Sequence, residues 1–221
     1  MQFGIFSVGD VTTDPTTGRT PSEAERIASM TQLALKAEEV GLDVFATGEH
    51  HNPPFVVSSP TTHLGYIAAK TEKLLLSTST TLITTNDPVK IAEDYAFLQH
   101  LSGGRVDLMM GRGNTGPVYP WFGKDIRDGI KLAVENYHLL RKLWREPVVN
   151  WQGEFRTPLQ GFTSTPAPLD GTIAVATELL EHDPNEPYAH LLLGRALQRK
   201  GRGGEAQPHL RLAELLGGYR T

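Results

Sequence analysis

Short apolar runs alternate with longer segments of helical periodicity through the first 145 residues of the chain. The runs are apolar on both faces and are bounded by glycine, asparagine or aspartate, which is typical of strands buried between layers of helices. They occupy residues 3–8, 44–47, 74–83 and 106–110. Four strand–helix repeats in succession predict an α/β fold with parallel strands and right-handed crossovers.

Proline and glycine mark the ends of the helical segments. Thr20-Pro21-Ser22-Glu23 predicts a capping box, in which the Thr20 hydroxyl and the Glu23 carboxylate bond free backbone N–H groups. Ser59-Pro60 and Asp87-Pro88 predict two further helix starts, and Gly41 and Gly103 predict helix ends.

Apolar stripes at helical spacing predict the buried face of the first and third helices. The first stripe holds Ile27, Met30, Ala34, Ala37 and Val40, and the second holds Ile91, Tyr95, Leu98 and Leu101. A fourth helix is predicted over residues 125–144.

The pattern changes after residue 146. Residues 150–171 are rich in turn formers and predict a hairpin or a long loop. Beyond them only helices are predicted, at residues 174–181, 188–199 and 205–216. The spacing of Leu193-Gly194, Gly201, Ala206 and Ala213 resembles that of a tetratricopeptide repeat, although Gly218 stands where proline is usual. We therefore predict two domains, residues 1–171 and 172–221.

Composition and charge exclude several classes of protein. The 221 residues carry 21 lysines and arginines against 25 acidic residues, and the net charge of -4 argues against nucleic-acid binding. No apolar run is long enough for a membrane span, and no basic and apolar leader is found. The absence of cysteine excludes disulfides, thiolate metal sites and a thiol nucleophile. A cytoplasmic protein is predicted.

Polar residues follow three of the predicted strands. Glu49-His50-His51 follows the second strand, residues 84–87 end the third, and residues 111–114 follow the fourth. Functional side chains of parallel α/β folds gather at the carboxyl ends of strands, so this shared end of the sheet predicts a site.

Several chemistries remain open for these residues. Adjacent side chains on an extended segment point to opposite faces, so the two histidines are poorly placed to share a metal ion, and none is predicted. Either the histidines are structural or one faces a pocket and transfers protons. The glycines of residues 111–116 make a tight turn or let the backbone approach a flat ligand, because no helix follows them as in dinucleotide sites. Tyr119, Trp121 and Phe122 wall a pocket or pack under a loop.

Four stretches together resemble the bacterial luciferase-like, flavin-dependent monooxygenase family, over residues 1 to about 171. They are Gly48-Glu49-His50-His51, residues 81–93, residues 101–108 and Gly111-Arg112-Gly113-Asn114. The resemblance implies a (β/α)₈ barrel that holds reduced FMN, or in some branches a deazaflavin, and uses O₂ to oxidise a small organic substrate. It also implies a flavin reductase and a homo-oligomer as partners.

The resemblance also implies roles for individual residues. His50 is expected to act as an acid or base, Glu49 to orient, and His51 to be structural. The positions expected at the cofactor are Thr84, Asn86, Gly111, Gly113 and Asn114.

The sequence departs from the family after residue 171, where four further strand–helix units are expected and a helical tail follows instead. The predicted fold is therefore a partial TIM-type barrel of about four β/α units followed by an all-helical tail. Without the late loops that bind a cofactor phosphate, FMN binding is expected to be weak. The alternative function is that of an inactive truncated or fused chain, a helical-repeat interaction protein.

Overall fold

The computed structural model describes residues 3–169 and 203–217. The chain divides into two compact units, Met1–Ile173 and Ala174–Thr221. The first unit contains a sheet of four parallel strands that lie side by side in chain order. These strands are β1 (Gly4–Ser7), β2 (Val44–Thr47), β3 (Leu75–Thr78) and β5 (Val106–Asp107). The parallel order predicted from the alternating pattern is confirmed.

Helices connect these strands and cover one face of the sheet. They are α1 (Glu23–Glu39), α2 (Pro60–Ala68), α3 (Pro88–Ser102), α4 (Val118–Trp121) and α5 (Gly129–Arg145), with a 3₁₀ turn at Ile126–Asp128 before α5. The helix-facing side chains of neighbouring strands lie in register, with Phe45 beside Leu76 and Leu76 beside Val106. All three are buried against the helices, so this face of the sheet forms the core.

The third predicted strand is broken in the structure. Residues 74–83 form β3 and a separate short strand β4 (Thr81–Leu82), with a cis peptide between Ser79 and Thr80. The fourth is broken in the same way, because β6 (Met110–Gly111) leaves the sheet and pairs with β4. The prediction of single continuous strands was wrong here, and the breaks move the ends of both strands away from the main sheet.

Four of the predicted helix ends are confirmed and one is displaced. Ser59 precedes α2 and Gly41 follows α1 with a φ of 82°, as predicted. Asp87 caps α3 by accepting a hydrogen bond from the Val89 N–H at 2.8 Å, and Gly103 ends the same helix with a φ of 66°. The cap of α1 is Ser22 instead of Thr20, with Glu25 completing the capping box. The box pattern also fits two residues further along the chain, and this is the position that the structure uses. The Thr20 hydroxyl is instead hydrogen-bonded to that of Thr13.

The apolar stripes are buried in their middle positions only. Met30, Ala34 and Ala37 of α1 and Ile91, Tyr95 and Leu98 of α3 are buried as predicted. Ile27, Val40 and Leu101 are exposed, contrary to the prediction. These three lie at or near the ends of their helices, where the neighbouring elements no longer cover the stripe.

A hairpin follows α5, as the turn-rich sequence predicts. Strand β7 (Val149–Trp151) pairs antiparallel with β8 (Leu159–Phe162). The Glu135 carboxylate of α5 accepts hydrogen bonds from three successive backbone N–H groups of the connecting loop, those of Glu154, Phe155 and Arg156. The hairpin is therefore fixed to the helix before it.

The second unit is described over one helix, α6 (Gly203–Gly217), which confirms the helix predicted at residues 205–216. Ala206, Leu210 and Ala213 are buried along one side of it. The helices predicted at residues 174–181 and 188–199, and most of the tetratricopeptide-like spacing, lie outside the described residues. Each helix that the structure describes is too short or too polar to span a bilayer.

Candidate active site

Three loops at the carboxyl ends of the strands enclose a cavity of about 110 Å³. The loop after β2 contributes Glu49, His50 and His51. The break between β3 and β4 contributes Ser79 and Thr80, and residues 112–115 after β6 form the facing wall. The end of the sheet predicted to carry a site therefore contains a cavity lined by titratable and hydrogen-bonding groups.

Glu49 is a buried carboxylate that joins two of these loops. Its Oε1 accepts hydrogen bonds from His51 Nε2 at 3.0 Å and from Asn86 Nδ2 at 2.7 Å. Its Oε2 accepts one from the Leu82 N–H at 2.8 Å. A buried carboxylate is stabilised only when its oxygens are paired in this way. Glu49 therefore positions the groups around it and has no described bond to His50.

His50 lies with its ring stacked on Phe55, at 4.1 Å between ring centroids and an interplanar angle of 21°. Burial lowers the pKa of His50, the neighbouring His51 lowers it further, and the charge of Glu49 partly opposes them. A histidine with a lowered pKa is neutral at pH 7 and can accept a proton. The ring borders the cavity, as a group that reacts there must.

His51 also borders the cavity, which the expectation of a purely structural role did not include. Its Nε2 is bonded to Glu49, and its ring lies 4.6 Å from that of Phe122. The carboxylate thus orients the second histidine instead of the first. One of the two ring nitrogens of His51, Nε2, is therefore already hydrogen-bonded within the protein.

Thr84 and Asn86 lie behind the cavity wall. The Thr84 hydroxyl is completely buried and donates to the Arg112 carbonyl at 2.6 Å. The Asn86 amide donates to Glu49 and, at 2.9 Å, to the Leu82 carbonyl. Both side chains hold the loops in place, and neither is among the residues that border the cavity at His50.

The glycine segment after β6 comes close to the broken strand. A Cβ at Gly111 would lie 2.3 Å from the Thr80 hydroxyl oxygen, so only glycine fits there. Gly113 has a φ of 69°, a left-handed conformation that favours glycine. Gly113 and Asn114 border the cavity, whereas Gly111 supports it from behind.

Several residues at the cavity were not among the predicted site residues. Thr80 lies within residues 74–83, which were predicted as one continuous strand. Arg112 lies between Gly111 and Gly113, and of these three residues only the two glycines were predicted to be at the site. Tyr119 is buried, borders the cavity and donates its hydroxyl to the Arg112 carbonyl and, at 3.3 Å, to that of Gly113. Of the three aromatic residues considered there, Trp121 is exposed, so Tyr119 alone combines burial with the cavity wall.

Buried polar atoms without a partner concentrate at this end of the sheet. Among the described residues, five side chains have such an atom, and three of them are Thr47, Asn52 and Thr85. Asn52 and Thr85 border the cavity itself. Buried polar groups are normally hydrogen-bonded, so these atoms are available to a ligand.

The positive charge at the cavity comes from one side chain. Arg112 is the single lysine or arginine among the described residues that border it. Within residues 3–169 and 203–217, no three histidine or acidic side chains come together as metal ligands. The site as described can bind an anionic group at Arg112 and exchange a proton at His50.

Comparison with known proteins identifies relatives of this arrangement. The sequence pattern of luciferase-like monooxygenases matches residues 1–178. N-acetyl-S-alkylcysteine monooxygenase of Bacillus subtilis (strain 168) is 34% identical over 100 residues, which make up 45% of this chain and 30% of that protein.

Two solved structures share the fold. The oxygenating constituent of 3,6-diketocamphane monooxygenase from Pseudomonas putida, a type II Baeyer–Villiger monooxygenase in complex with FMN, has a TM-score of 0.68 and 16% identity over 78% of this chain and 49% of its own. An F420-dependent secondary alcohol dehydrogenase, in complex with an F420–acetone adduct, has a TM-score of 0.61 and 22% identity over 76% of this chain and 49% of its own.

The matched regions span 30% to 49% of the lengths of these three proteins. The family pattern, by contrast, covers most of the present sequence. The chain belongs to the luciferase-like monooxygenase family.

Proposed function

We propose that this chain is a flavin-dependent oxidoreductase that uses a reduced flavin and O₂ to oxidise a small organic substrate beside His50. One observation carries the proposal: a cavity at the carboxyl ends of the strands brings together a histidine of lowered pKa, one arginine and buried polar atoms without partners. Perturbed titratable groups that converge in a cleft are the mark of a reactive site.

The proposed cofactor is FMN, with a deazaflavin as the alternative, because the two structures of shared fold contain FMN and F420. FMN would supply, when reduced, the electrons with which O₂ is activated, whereas a deazaflavin would exchange a hydride with the substrate without O₂. The cavity of about 110 Å³ would receive only a part of a flavin. Gly113, Asn114 and the Thr80 hydroxyl would contact the ring, and Arg112 would bind the phosphate, since a guanidinium matches phosphate geometry.

The protein's own contribution to the chemistry lies in the histidine pair. His50, neutral at pH 7, accepts a proton from the substrate or returns one to it. Glu49 accepts hydrogen bonds from His51 and Asn86, and these bonds position the wall opposite residues 112–115. Thr84 fixes the Arg112 backbone from behind. In this proposal Glu49, Thr84 and Asn86 position the site, and His50 transfers the proton.

A flavin reductase as the source of reduced flavin and assembly into a homo-oligomer are further parts of this proposal, and the family resemblance is their support. The tetratricopeptide-like tail stays a prediction, because α6 is the single stretch of it that the structure describes.

A binding experiment tests the proposal. We expect FMN fluorescence to be quenched saturably when the purified protein is added. The charge-assisted bonds of Arg112 contribute about 1.5–3 kcal/mol, so Arg112→Ala weakens FMN binding about tenfold or more.

The matched control is Arg127→Ala, which removes the same charge from an exposed side chain paired with Asp125. The proposal fails if neither FMN nor a deazaflavin binds saturably. The assignment of Arg112 alone fails if the two arginine variants bind FMN equally well.

A further inference from the structure

A second cavity, of about 200 Å³, lies beside the candidate active site. The amino end of α3, the helix α5, the loop after α4 and the loop of the hairpin form its walls. Thr85 borders both this cavity and the one at His50, so the two adjoin at that side chain. Nothing in the proposed reaction uses the second cavity.

The walls of the second cavity carry more positive than negative charge. Arg156 is paired with Asp87, with 3.0 Å between Nε and Oδ2. Lys124 also borders the cavity, is half-buried, and forms no ion pair with any residue that the structure describes. The remaining wall residues are neutral, so one positive charge is left without a counter-ion. A half-buried ammonium in that position attracts an anion.

Thr85 supplies an independent observation. Its side chain is 9% exposed, and its hydroxyl oxygen has no hydrogen-bond partner among the described residues. A buried hydroxyl without a partner destabilises a fold, so such a group is generally satisfied by something else. An oxyanion at Lys124 would accept the bond that the Thr85 hydroxyl can donate.

We propose that the second cavity binds a small organic carboxylate, held by Lys124 and the Thr85 hydroxyl. Phe122, Leu132 and Phe155 give the walls apolar surface for the organic part. The volume is sufficient, because an apolar cavity of about 150 Å³ already accommodates benzene. If the proposed function holds, on which this assignment rests, the carboxylate is the anchor of a substrate whose oxidised part reaches past Thr85 toward His50.

The test needs no flavin. The full chain, labelled with ¹⁵N, is titrated at constant ionic strength with acetate and with acetamide, its neutral isostere, and amide shifts are followed by NMR. We expect saturable shifts with acetate and binding of acetamide weaker by about tenfold or more, since a hydrogen bond to a charged group is worth that much. Equal binding of the two probes, or no saturation with acetate, would overturn the proposal.

Two substitutions locate the site. Lys124→Met keeps the length of the side chain and removes the charge, and we expect acetate binding to weaken about tenfold. Lys73→Met removes the same charge from an exposed lysine between α2 and β3, and should leave acetate binding unchanged. Equal affinities in the two variants would show that the cavity is not the binding site.

Thr85→Val removes the unpartnered hydroxyl at constant shape. We expect weaker acetate binding without loss of stability, because the hydroxyl has no bond to lose in the described structure. Acetate binding that persists in a chain without flavin affinity would disprove the proposed function only. Flavin-dependent turnover in a chain that does not bind acetate saturably would disprove this inference only.

Discussion

At the amino end of the parallel sheet, charged groups are bonded to the backbone, whereas at the carboxyl end they surround cavities. The guanidinium of Arg105, just before β5, donates to the carbonyls of Ala68, Thr71, Leu74 and Ser102 and to the Thr71 hydroxyl. Glu38, at the end of α1, accepts the N–H groups of three successive residues before β3. Each of these two side chains acts as a bridge between loops.

At the carboxyl end, by contrast, Arg112 and Lys124 border cavities without a counter-ion in the described residues, and Thr85 lacks a hydrogen-bond partner. Full pairing stabilises a fold, while charges and hydroxyls held in place without partners are ready to bind something else. The groups that stabilise the fold thus lie at the amino ends of the strands, and the groups available to a ligand lie at the carboxyl ends. This is the division of labour expected of βα-barrel sheets.

The largest effect is expected from the histidines of the carboxyl end. His50→Ala should lower flavin-dependent turnover by about 10²- to 10⁴-fold if His50 is the proposed acid or base, since its ring borders the cavity with no described side-chain hydrogen bond. His51→Ala should lower turnover less. Since it removes one of the donors to buried Glu49, it should instead destabilise the fold by about 1–3 kcal/mol. Steady-state kinetics measure the turnover of both variants, and urea unfolding measures their stability. Equal losses of turnover in the two variants would contradict the different roles given to the two histidines.

A smaller effect, on stability alone, is expected at the amino end. Arg105→Met should lower the free energy of unfolding by about 2–4 kcal/mol, because four carbonyl groups lose their donor. Turnover per folded molecule should stay unchanged. Arg127→Met, at an exposed arginine, serves as the control and should leave the free energy of unfolding nearly unchanged. A loss of activity in the folded Arg105 variant would contradict the separation of the two ends.

The smallest effect concerns pH. Burial lowers the pKa of both His50 and His63, so protonation favours the unfolded chain. Their contribution to stability is therefore complete above the unfolded histidine pKa of about 6.5 and is lost progressively as pH falls. Urea unfolding at pH 7 and pH 5 should show this loss in the wild type and a smaller loss in His63→Gln, which keeps a bonding partner for Thr31. An equal loss in both proteins would mean that His63 does not titrate as described.

Much of the fold could be predicted from local patterns. Strand β2 occupies the predicted residues 44–47. Helix α3 begins after Asp87 and ends at Gly103, as expected. Caps and short apolar runs are determined by neighbouring residues, which is why these features could be predicted. The break at Ser79 and Thr80 could not be predicted in this way. Hydroxyl and apolar residues continue through it without a glycine or proline, so the local pattern gives no sign of a change in direction.

The candidate site was predictable in its position but not in its contacts. Polar residues at strand ends located Glu49, His50 and Asn114 at one cavity. Which histidine the Glu49 carboxylate bonds depends on side-chain rotamers, and sequence order does not determine those. Tyr119 reaches the cavity only because α4 folds back over the glycine segment, a contact between elements that no local pattern contains.

Two carboxylates of this chain behave as bound anions. Glu38 and Glu135 each occupy a row of three successive backbone N–H groups, at residues 72–74 and 154–156. Partial burial alone would raise the pKa of Glu38, but the N–H groups outweigh it and lower the pKa, so the carboxylate stays charged. Such rows are concave sites that proteins elsewhere use for phosphate. Because each anion is tethered to its site, its effective concentration is about millimolar or higher, and free anions compete poorly there. A diffusing anionic ligand therefore meets these two rows already filled, while the cations beside the strand ends stay accessible to it.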